Sequence, residues 1–345
     1  MTIGPGAFGT TVWSSPGWQA AALAWLDERL AAAGITRTGA AEHPHVRAWA
    51  TAVRVPTDHG DYWLKACGPD TAFEVPLYRV LAELVPGDVL APLAADPARG
   101  WIVLPDGGRV LGDQLAGADL ARALGAALVQ YGRLQRALMP GVPRMLAAGV
   151  TDMRPPAMLD AFDRALALTR RDLDAGEPDR DRERRHAQTA AARDEVAGWC
   201  AALSRSALPA SLDHNDLHPR NMFWDPRAGR ARFFDWGDAV IAHPFAAMLV
   251  PLAMVRELLG GVPAAAPFRA IRDAYLQVFA DLAPDEDLPA TLETACRVAK
   301  IARAHTWDRA VGAAARQGDP MAARFRFAAL DTLSAVLDAD YLTVG

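Results

Sequence analysis

The sequence predicts an α+β chain of two lobes, a small antiparallel β-sheet lobe followed by a large, mainly helical one. Three observations carry this. Between Val46 and Cys67 the texture is that of a β-hairpin. Pro105-Asp106-Gly107-Gly108 then breaks the chain. Beyond it, apolar residues recur at helical spacing almost to the end, with one β-like interruption. The chain has 345 residues, 51% of them hydrophobic and 22% charged, with a net charge of −5. That composition can bury a core and excludes general disorder.

The elements follow in order. Ser15-Pro16 is an N-cap with proline at the first helical position, and Leu23, Leu26 and Leu30 continue a helix that Gly34 stops. This leading helix spans about residues 16–33. The run from Trp49 to Pro56, the turn Asp58-His59-Gly60-Asp61 and Tyr62-Trp63-Leu64-Lys65 make the hairpin. Phe73, Leu77, Val80, Leu81 and Leu84 mark one face of a helix. Val89 to Leu93 and Trp101 to Leu104 read as two further strands. The lobe boundary falls at the Pro105 break, giving residues 1–105 and 106–345. In the second lobe, Leu120, Leu124, Leu128, Tyr131, Leu134 and Leu138 form a long stripe ended by Pro140-Gly141. Asp174 to His186, mixed in charge, reads as a solvated loop or exposed helix end. Helix resumes to about Ser204, Met222 to Trp224 and Ala231 to Phe234 read as a hairpin, and the run from Ala239 to Val255 reads as a buried helix. A cleft between the lobes is the expected place for a site.

Bulk features exclude several classes. The charge balance lacks the basic footprint of a nucleic-acid binder. The run from Ala239 to Val255, interrupted by His243, Pro244 and Pro251, is too short to span a bilayer. Met1 to Gly17 shows no basic segment leading into an apolar one, so a cytoplasmic protein without a secretory leader is expected. Cys67, Cys200 and Cys296 are far apart and read as buried small hydrophobes. A monomer or homodimer is expected. Two rarities stand out. Lysine occurs twice (Lys65, Lys300) among 36 basic residues, and asparagine twice (Asn215, Asn221).

Both asparagines lie in His214-Asn215-Asp216-Leu217-His218-Pro219-Arg220-Asn221, which fits H-x-D-L-x-x-x-N at every specified position. Asp235-Trp236-Gly237 follows the second hairpin, and Lys65 ends a strand upstream. Alone, each has a plain reading: a solvated strand lysine, a turn aspartate, a turn asparagine. Together and in this order they suit phosphoryl transfer, which relies on positioning and charge neutralisation. Asp216 would accept or orient the proton of an attacking hydroxyl. Asn221 and Asp235 would give Mg²⁺ a neutral and an anionic oxygen ligand. Lys65 would reach the phosphates, held by a carboxylate on the next helix, for which Glu74 is the first candidate and Glu83 the rival. Lys300 reads as an ordinary surface residue. His214 reads as an anchor of the loop and His305 as core packing. An H-E-x-x-H type metal site over His214 and His218 is disfavoured by Pro219, which breaks the helix it needs.

From about Val46 to Leu258, and most specifically over Leu212 to Phe245, the chain resembles the aminoglycoside phosphotransferase/choline kinase-like family. Its pattern of H-G-D-L-H-P-x-N, a short hairpin and D-W-x-D-A is matched by His214 to Asn221 and Asp235 to Ala239, with Asn215 in place of glycine. Asn215 therefore stands where the backbone is expected to need an unusual dihedral. The resemblance implies a bilobal protein-kinase-like fold and an ATP- or GTP-dependent, Mg²⁺-dependent O-phosphotransferase acting on a small hydroxylated metabolite or antibiotic. It implies nucleotide contacts from the hinge at Leu104 and Asp106, and acceptor contacts from His218 and Asp238. Glu42 to Arg47 has no glycine-rich phosphate loop, and Gly4 to Gly9 precedes the first helix, as a flexible start. A pseudokinase-like binding protein is the alternative. Asp285-Glu286-Asp287 is either a solvated acidic turn or the wall of a cation pocket.

Overall fold

Five strands form the first sheet: β1 (Glu42–Val46), β2 (Ala50–Thr57), β3 (Gly60–Cys67), β4 (Ala94–Asp96) and β5 (Trp101–Pro105). They lie antiparallel in the order β1-β2-β3-β5-β4. This computed structural model describes residues 8–177, 179–261, 265–316 and 320–344, so most of the glycine-rich start lies outside the described residues. The β2–β3 hairpin closes with Thr57 opposite Gly60, whose φ of 92° suits glycine.

Strand alternation then sorts the side chains of β3. Leu64 and Ala66 face the leading helix, Pro16–Ala32, in an outer core with Trp18, Trp25, Leu26 and Trp101. Trp18 and Trp25 meet Trp101 edge-on, with centroids 5.9 and 5.5 Å apart. Each such buried side chain contributes roughly 1.5–3 kcal/mol. Trp63, Lys65 and Cys67 therefore point to the opposite face, where the helix Glu74–Leu84 packs.

In the helical lobe the Gly117–Leu138 helix is the spine. Its Tyr131 hydroxyl donates to Leu212 O at 3.0 Å and accepts from His214 N at 2.9 Å. Gln135 Nε2 donates to Leu212 O and Pro244 O. These bonds fix the loop that follows Ser211–Asp213. A small sheet supports it, built from β6 (Thr151–Asp152), β7 (Ser211–Asp213) and β10 (Val240–Ala242) in the order β6-β10-β7. Between β7 and β10 lies the hairpin of β8 (Met222–Asp225) and β9 (Arg230–Phe233). Downstream, the Leu288–Trp307 helix crosses behind the loop and widens into a π-helical turn at Asp308–Gly312.

Three expectations need correcting. Val89 to Leu93 is not a strand: Val89 makes a single bridge to Phe233, and the strand beside β5 is Ala94–Asp96. The run from Ala239 to Val255 opens with β10 before helix Leu249–Leu258 begins, because three apolar residues pair with β7. Asp174 to His186 holds exposed helix ends, one of the two readings: one helix closes at Asp174 and the next starts at Arg180, capped by the Asp179 carboxylate. Lys300 is not a surface residue. It is fully buried, its Nζ donates to Ala335 O at 2.8 Å, and burial lowers its pKa to about 8. The three cysteines are free and buried.

Candidate active site

The site forms where β3, the Glu74–Leu84 helix and the loops after β7 and β9 meet. Lys65 Nζ lies 2.6 Å from Glu74 Oε2 and 2.5 Å from Asp235 Oδ1. Glu74 is wholly buried at the first turn of its helix, while Glu83 pairs with Arg144 on the outside. Burial pushes the Glu74 carboxyl up, against the pull of Lys65. Burial works against the Lys65 charge too, but Asp235 and Glu74 together raise its pKa well above that of an ordinary lysine. Glu74 is held further by Trp236 N at 3.0 Å and by the Cys67 thiol, which donates at 3.4 Å. The ammonium therefore stands in a fixed place with its charge secured.

Asp235 has a φ of 66° and Asn215 a φ of 60°, the positive-φ residues other than glycine among those described. Such a conformation costs of order 1–3 kcal/mol and needs support from its surroundings. Asn215 Nδ2 donates to Thr306 Oγ1 at 2.8 Å and reaches Asp238 O at 3.3 Å. The Asp235 N–H meets the Tyr78 hydroxyl at 3.4 Å. His214, buried and tilted against Trp236 with ring centroids 4.6 Å apart, fixes the two loops through Phe234 O at 2.9 Å.

These bends present Asp216. One of its oxygens lies 3.2 Å from Arg303 Nη1, and the other 3.3 Å from both His218 Nε2 and Asn221 Nδ2. His218 Nδ1 accepts from Arg220 N, which assigns the ring proton to Nε2 and aims it at Asp216. Burial would raise the Asp216 pKa, but the His218 hydrogen bond and Arg303 bring it down to about 2. Asp216 is thus an anion at any working pH and a weak base. Asn221 Nδ2 also donates to Asp216 O at 2.9 Å, which leaves its side-chain carbonyl as the end available to a ligand.

Asn221 and Asp235 offer only oxygen donors, which fits Mg²⁺. Among the described residues no group of three or more His, Cys, Asp or Glu side chains is placed to hold an ion alone. An ion held by these two residues would need water or a ligand's oxygens to complete its shell. The Asp106 N–H donates to Asp61 O at 2.9 Å, and its carboxylate accepts from Trp63 Nε1 and Gly108 N. Leu104 lies opposite Trp63 on β5. Asp238 is near Asp216, and burial, then that charge, push its carboxyl to about 7.

Sequence reasoning missed Arg303, Thr306 and Arg309, which come from the late helix and its π-turn. It also missed Trp63 above the cleft and the stacked pair Phe223 and Phe234, whose centroids are 4.0 Å apart, at the hairpin. With 36 basic residues and two lysines, no spacing singles out one arginine. His305 is half-buried, its Nε2 bonded to Ala161 O at 2.8 Å. Asp285 to Asp287 lie at the far end of the Leu288–Trp307 helix, where Asp287 caps its start and Glu286 holds Ser206.

Asp213 gives a pH test of this loop. It is buried, Oδ1 accepts from Asn215 N at 2.6 Å, and Oδ2 has no partner. Burial raises its pKa to about 7. Its contribution to stability is therefore complete below about pH 4 and is lost as the pH rises through about 7. The slope between those limits is ~1.4 kcal/mol per pH unit. Asp213→Asn is expected to flatten the stability profile by about 2–3 kcal/mol between about pH 5 and pH 7. Urea unfolding across that range checks it, and an unaltered slope would place the charge elsewhere.

The profile of the phosphotransferase enzyme family matches residues 47–284. No curated protein sequence matches the chain. Solved structures share the fold. The macrolide 2'-phosphotransferase of Brachybacterium faecium is 18% identical with a TM-score of 0.53, covering 89% of this chain and 98% of its own. A choline kinase of Streptococcus pneumoniae is 12% identical with a TM-score of 0.55, covering 91% and 99%. A choline/ethanolamine kinase family protein of Mesorhizobium loti is 16% identical with a TM-score of 0.56, covering 93% and 98%.

Proposed function

This chain belongs to the phosphotransferase enzyme family, and on that premise we propose that it moves the terminal phosphoryl group of ATP or GTP to a hydroxyl of a small molecule. One observation carries the reading: a single cleft holds the Lys65–Glu74–Asp235 network and, beside it, Asp216 bonded to Asn221. In the transfer, an oxygen–phosphorus bond forms to the acceptor hydroxyl, the bond to the β-phosphate oxygen breaks, and the nucleoside diphosphate leaves. Asp216 orients the hydroxyl and takes its proton late, as its low basicity requires, and the proton passes on to water. Lys65 neutralises phosphate oxygens from the sheet. Asn221 and Asp235 would hold Mg²⁺, which supplies charge neutralisation at the phosphates when bound. Kinase-like relatives make an alcohol on a metabolite or an antibiotic the expected acceptor.

A second reading is nucleotide binding without transfer. It is favoured by the short turn between β1 and β2, Arg47-Ala48-Trp49, which has no glycine and is pinned by Gly68 N to Trp49 O at 2.8 Å. Thermal shift with Mg-ATP and Mg-GTP, then diphosphate release over a panel of hydroxylated acceptors, separates the two. Transfer predicts Mg²⁺-dependent stabilisation and acceptor-dependent release. Stabilisation without release on any acceptor favours the binding role, and no stabilisation counts against both.

A further inference from the structure

We propose that Arg303 is a positioning residue for the transfer: with Thr306, one helical turn on, it clamps the catalytic loop and sets the direction of the Asp216 carboxylate. This rests on the phosphotransferase reading above and adds to it a residue from outside the loop on which the reaction depends.

The first observation is where the ties on Asp216 come from. His218 Nε2 and Asn221 Nδ2 both lie 3.3 Å from one carboxylate oxygen, but they belong to the same loop. A tie within the loop moves with the loop and cannot fix the carboxylate against the rest of the lobe. Arg303 Nη1 lies 3.2 Å from the other oxygen and comes from 87 residues away, on the Leu288–Trp307 helix. That helix is anchored independently, with Leu292, Cys296, Ala299 and Ile301 buried in the main core. Arg303 therefore ties the carboxylate itself to the body of the lobe.

The second observation is that the grip has two points. Arg303 Nη1 also donates to Asn215 O at 2.6 Å, and Asn215 Nδ2 donates to Thr306 Oγ1 at 2.8 Å. Residues three apart on a helix are neighbours on its surface. One turn of helix thus holds both the carbonyl and the side chain of Asn215. This is the residue with a φ of 60°, immediately before Asp216. A left-handed residue turns the chain sharply, and any rotation there swings the next side chain. Holding Asn215 at two points fixes the direction in which Asp216 leaves the turn.

The third observation is what the arrangement costs. The Arg303 side chain is 14% exposed, and its Nε is buried without a hydrogen-bond partner. An unsatisfied buried donor destabilises a fold, and such breaches are expected where function requires them. The guanidinium also lies over the Trp307 ring, 5.8 Å from its centroid. A cation is attracted to an aromatic face, so Trp307 holds the guanidinium while Nη1 reaches the loop.

The test is a double-mutant cycle on turnover, read together with hydrogen exchange of the loop. Turnover is release of ADP from Mg-ATP, to the panel's best acceptor or, where none reacts, to water. Arg303→Ala is expected to lower kcat by about 30- to 100-fold and to change the KM for Mg-ATP by less than about threefold. Arg303→Lys, which keeps the charge but not the planar fork, should fall between it and the wild type. In an Asp216→Asn background, Arg303→Ala should cost less than about threefold more, because the group it directs is already gone. An arginine that only stabilises the fold would multiply the two losses. Exchange of the peptide from Asp213 to Asn221 should quicken by about tenfold or more in Arg303→Ala. Unchanged protection of the Gly117–Leu138 helix verifies that the variant is folded. If Arg303→Ala does not fold, Arg303→Lys and Asn215→Gly, which keeps the turn but drops the Thr306 bond, carry the same cycle. Three results overturn the proposal: losses that multiply, an Arg303→Ala defect that falls on the KM for Mg-ATP rather than on kcat, or loop exchange that ignores Arg303. If the wild type releases no ADP to any acceptor or to water, the phosphotransferase reading fails, and loop exchange alone still decides whether Arg303 holds Asp216 in place.

Discussion

Asp216→Asn is expected to lower kcat by about a thousandfold while nucleotide affinity changes by less than about threefold. The geometry makes the substitution specific. All the groups around the Asp216 carboxylate are donors: Arg303 Nη1 at one oxygen, and His218 Nε2 and Asn221 Nδ2 at the other. An asparagine amide must turn its own NH₂ toward one of those donors, whichever way it flips. The charge that faces the acceptor hydroxyl disappears and the orientation of the side chain is lost with it. The Lys65–Glu74–Asp235 network, which lies on the donor side, is untouched. Because the Asp216 pKa is brought down to about 2, the wild-type rate should show no acid limb from this residue above about pH 4. Steady-state diphosphate release and nucleotide calorimetry measure both effects. A variant retaining more than about a tenth of wild-type turnover would remove Asp216 from the chemistry.

The residues of this cleft differ in how far the sequence could reveal them, and the difference is one of range. Lys65 and Glu74 are nine positions apart, on a strand and the helix after it, so period-2 alternation and one helical turn suffice to bring them together. Asn215 lies in a short loop where the need for a left-handed residue can be read from its neighbours, and its φ of 60° meets that expectation. Arg303 is 87 residues from Asp216, and the contact exists only because the Leu288–Trp307 helix packs behind the loop. No local pattern encodes it. The strands β7 and β10 are hidden for the same reason, since three residues carry no periodicity until they pair. Lys300 failed differently. Its rarity drew attention, but its place in the apolar stripe with Cys296 and Ala304 was the better signal, and its ammonium reaches out of that stripe to Ala335 O.

Asp235→Asn is expected to cut Mg²⁺-dependent nucleotide affinity by about 100- to 1000-fold, or roughly 3–4 kcal/mol. Asp235 is the anionic member of the two-oxygen set, and its side chain keeps 51% exposure toward the cleft, so the carboxylate is available to a ligand despite its bond to Lys65. Burial of the site acts to raise its pKa, but the Lys65 charge prevails and holds the carboxyl below its usual range. It is thus ionised whenever a metal could arrive. Asparagine is the cleaner replacement because the backbone at φ 66° is left-handed, a conformation asparagine tolerates and alanine accepts at a cost of roughly 1–2 kcal/mol. Asp235→Ala should therefore show the same loss of affinity plus a fall in melting temperature, and the pair of variants separates charge from strain. Lys65 remains tied to Glu74 in both, so binding of nucleotide without Mg²⁺ should be little altered. Calorimetry with and without Mg²⁺ reads the difference directly, and an Asp235→Asn protein whose affinity still rises on adding Mg²⁺ as in the wild type would exclude Asp235 as a metal ligand.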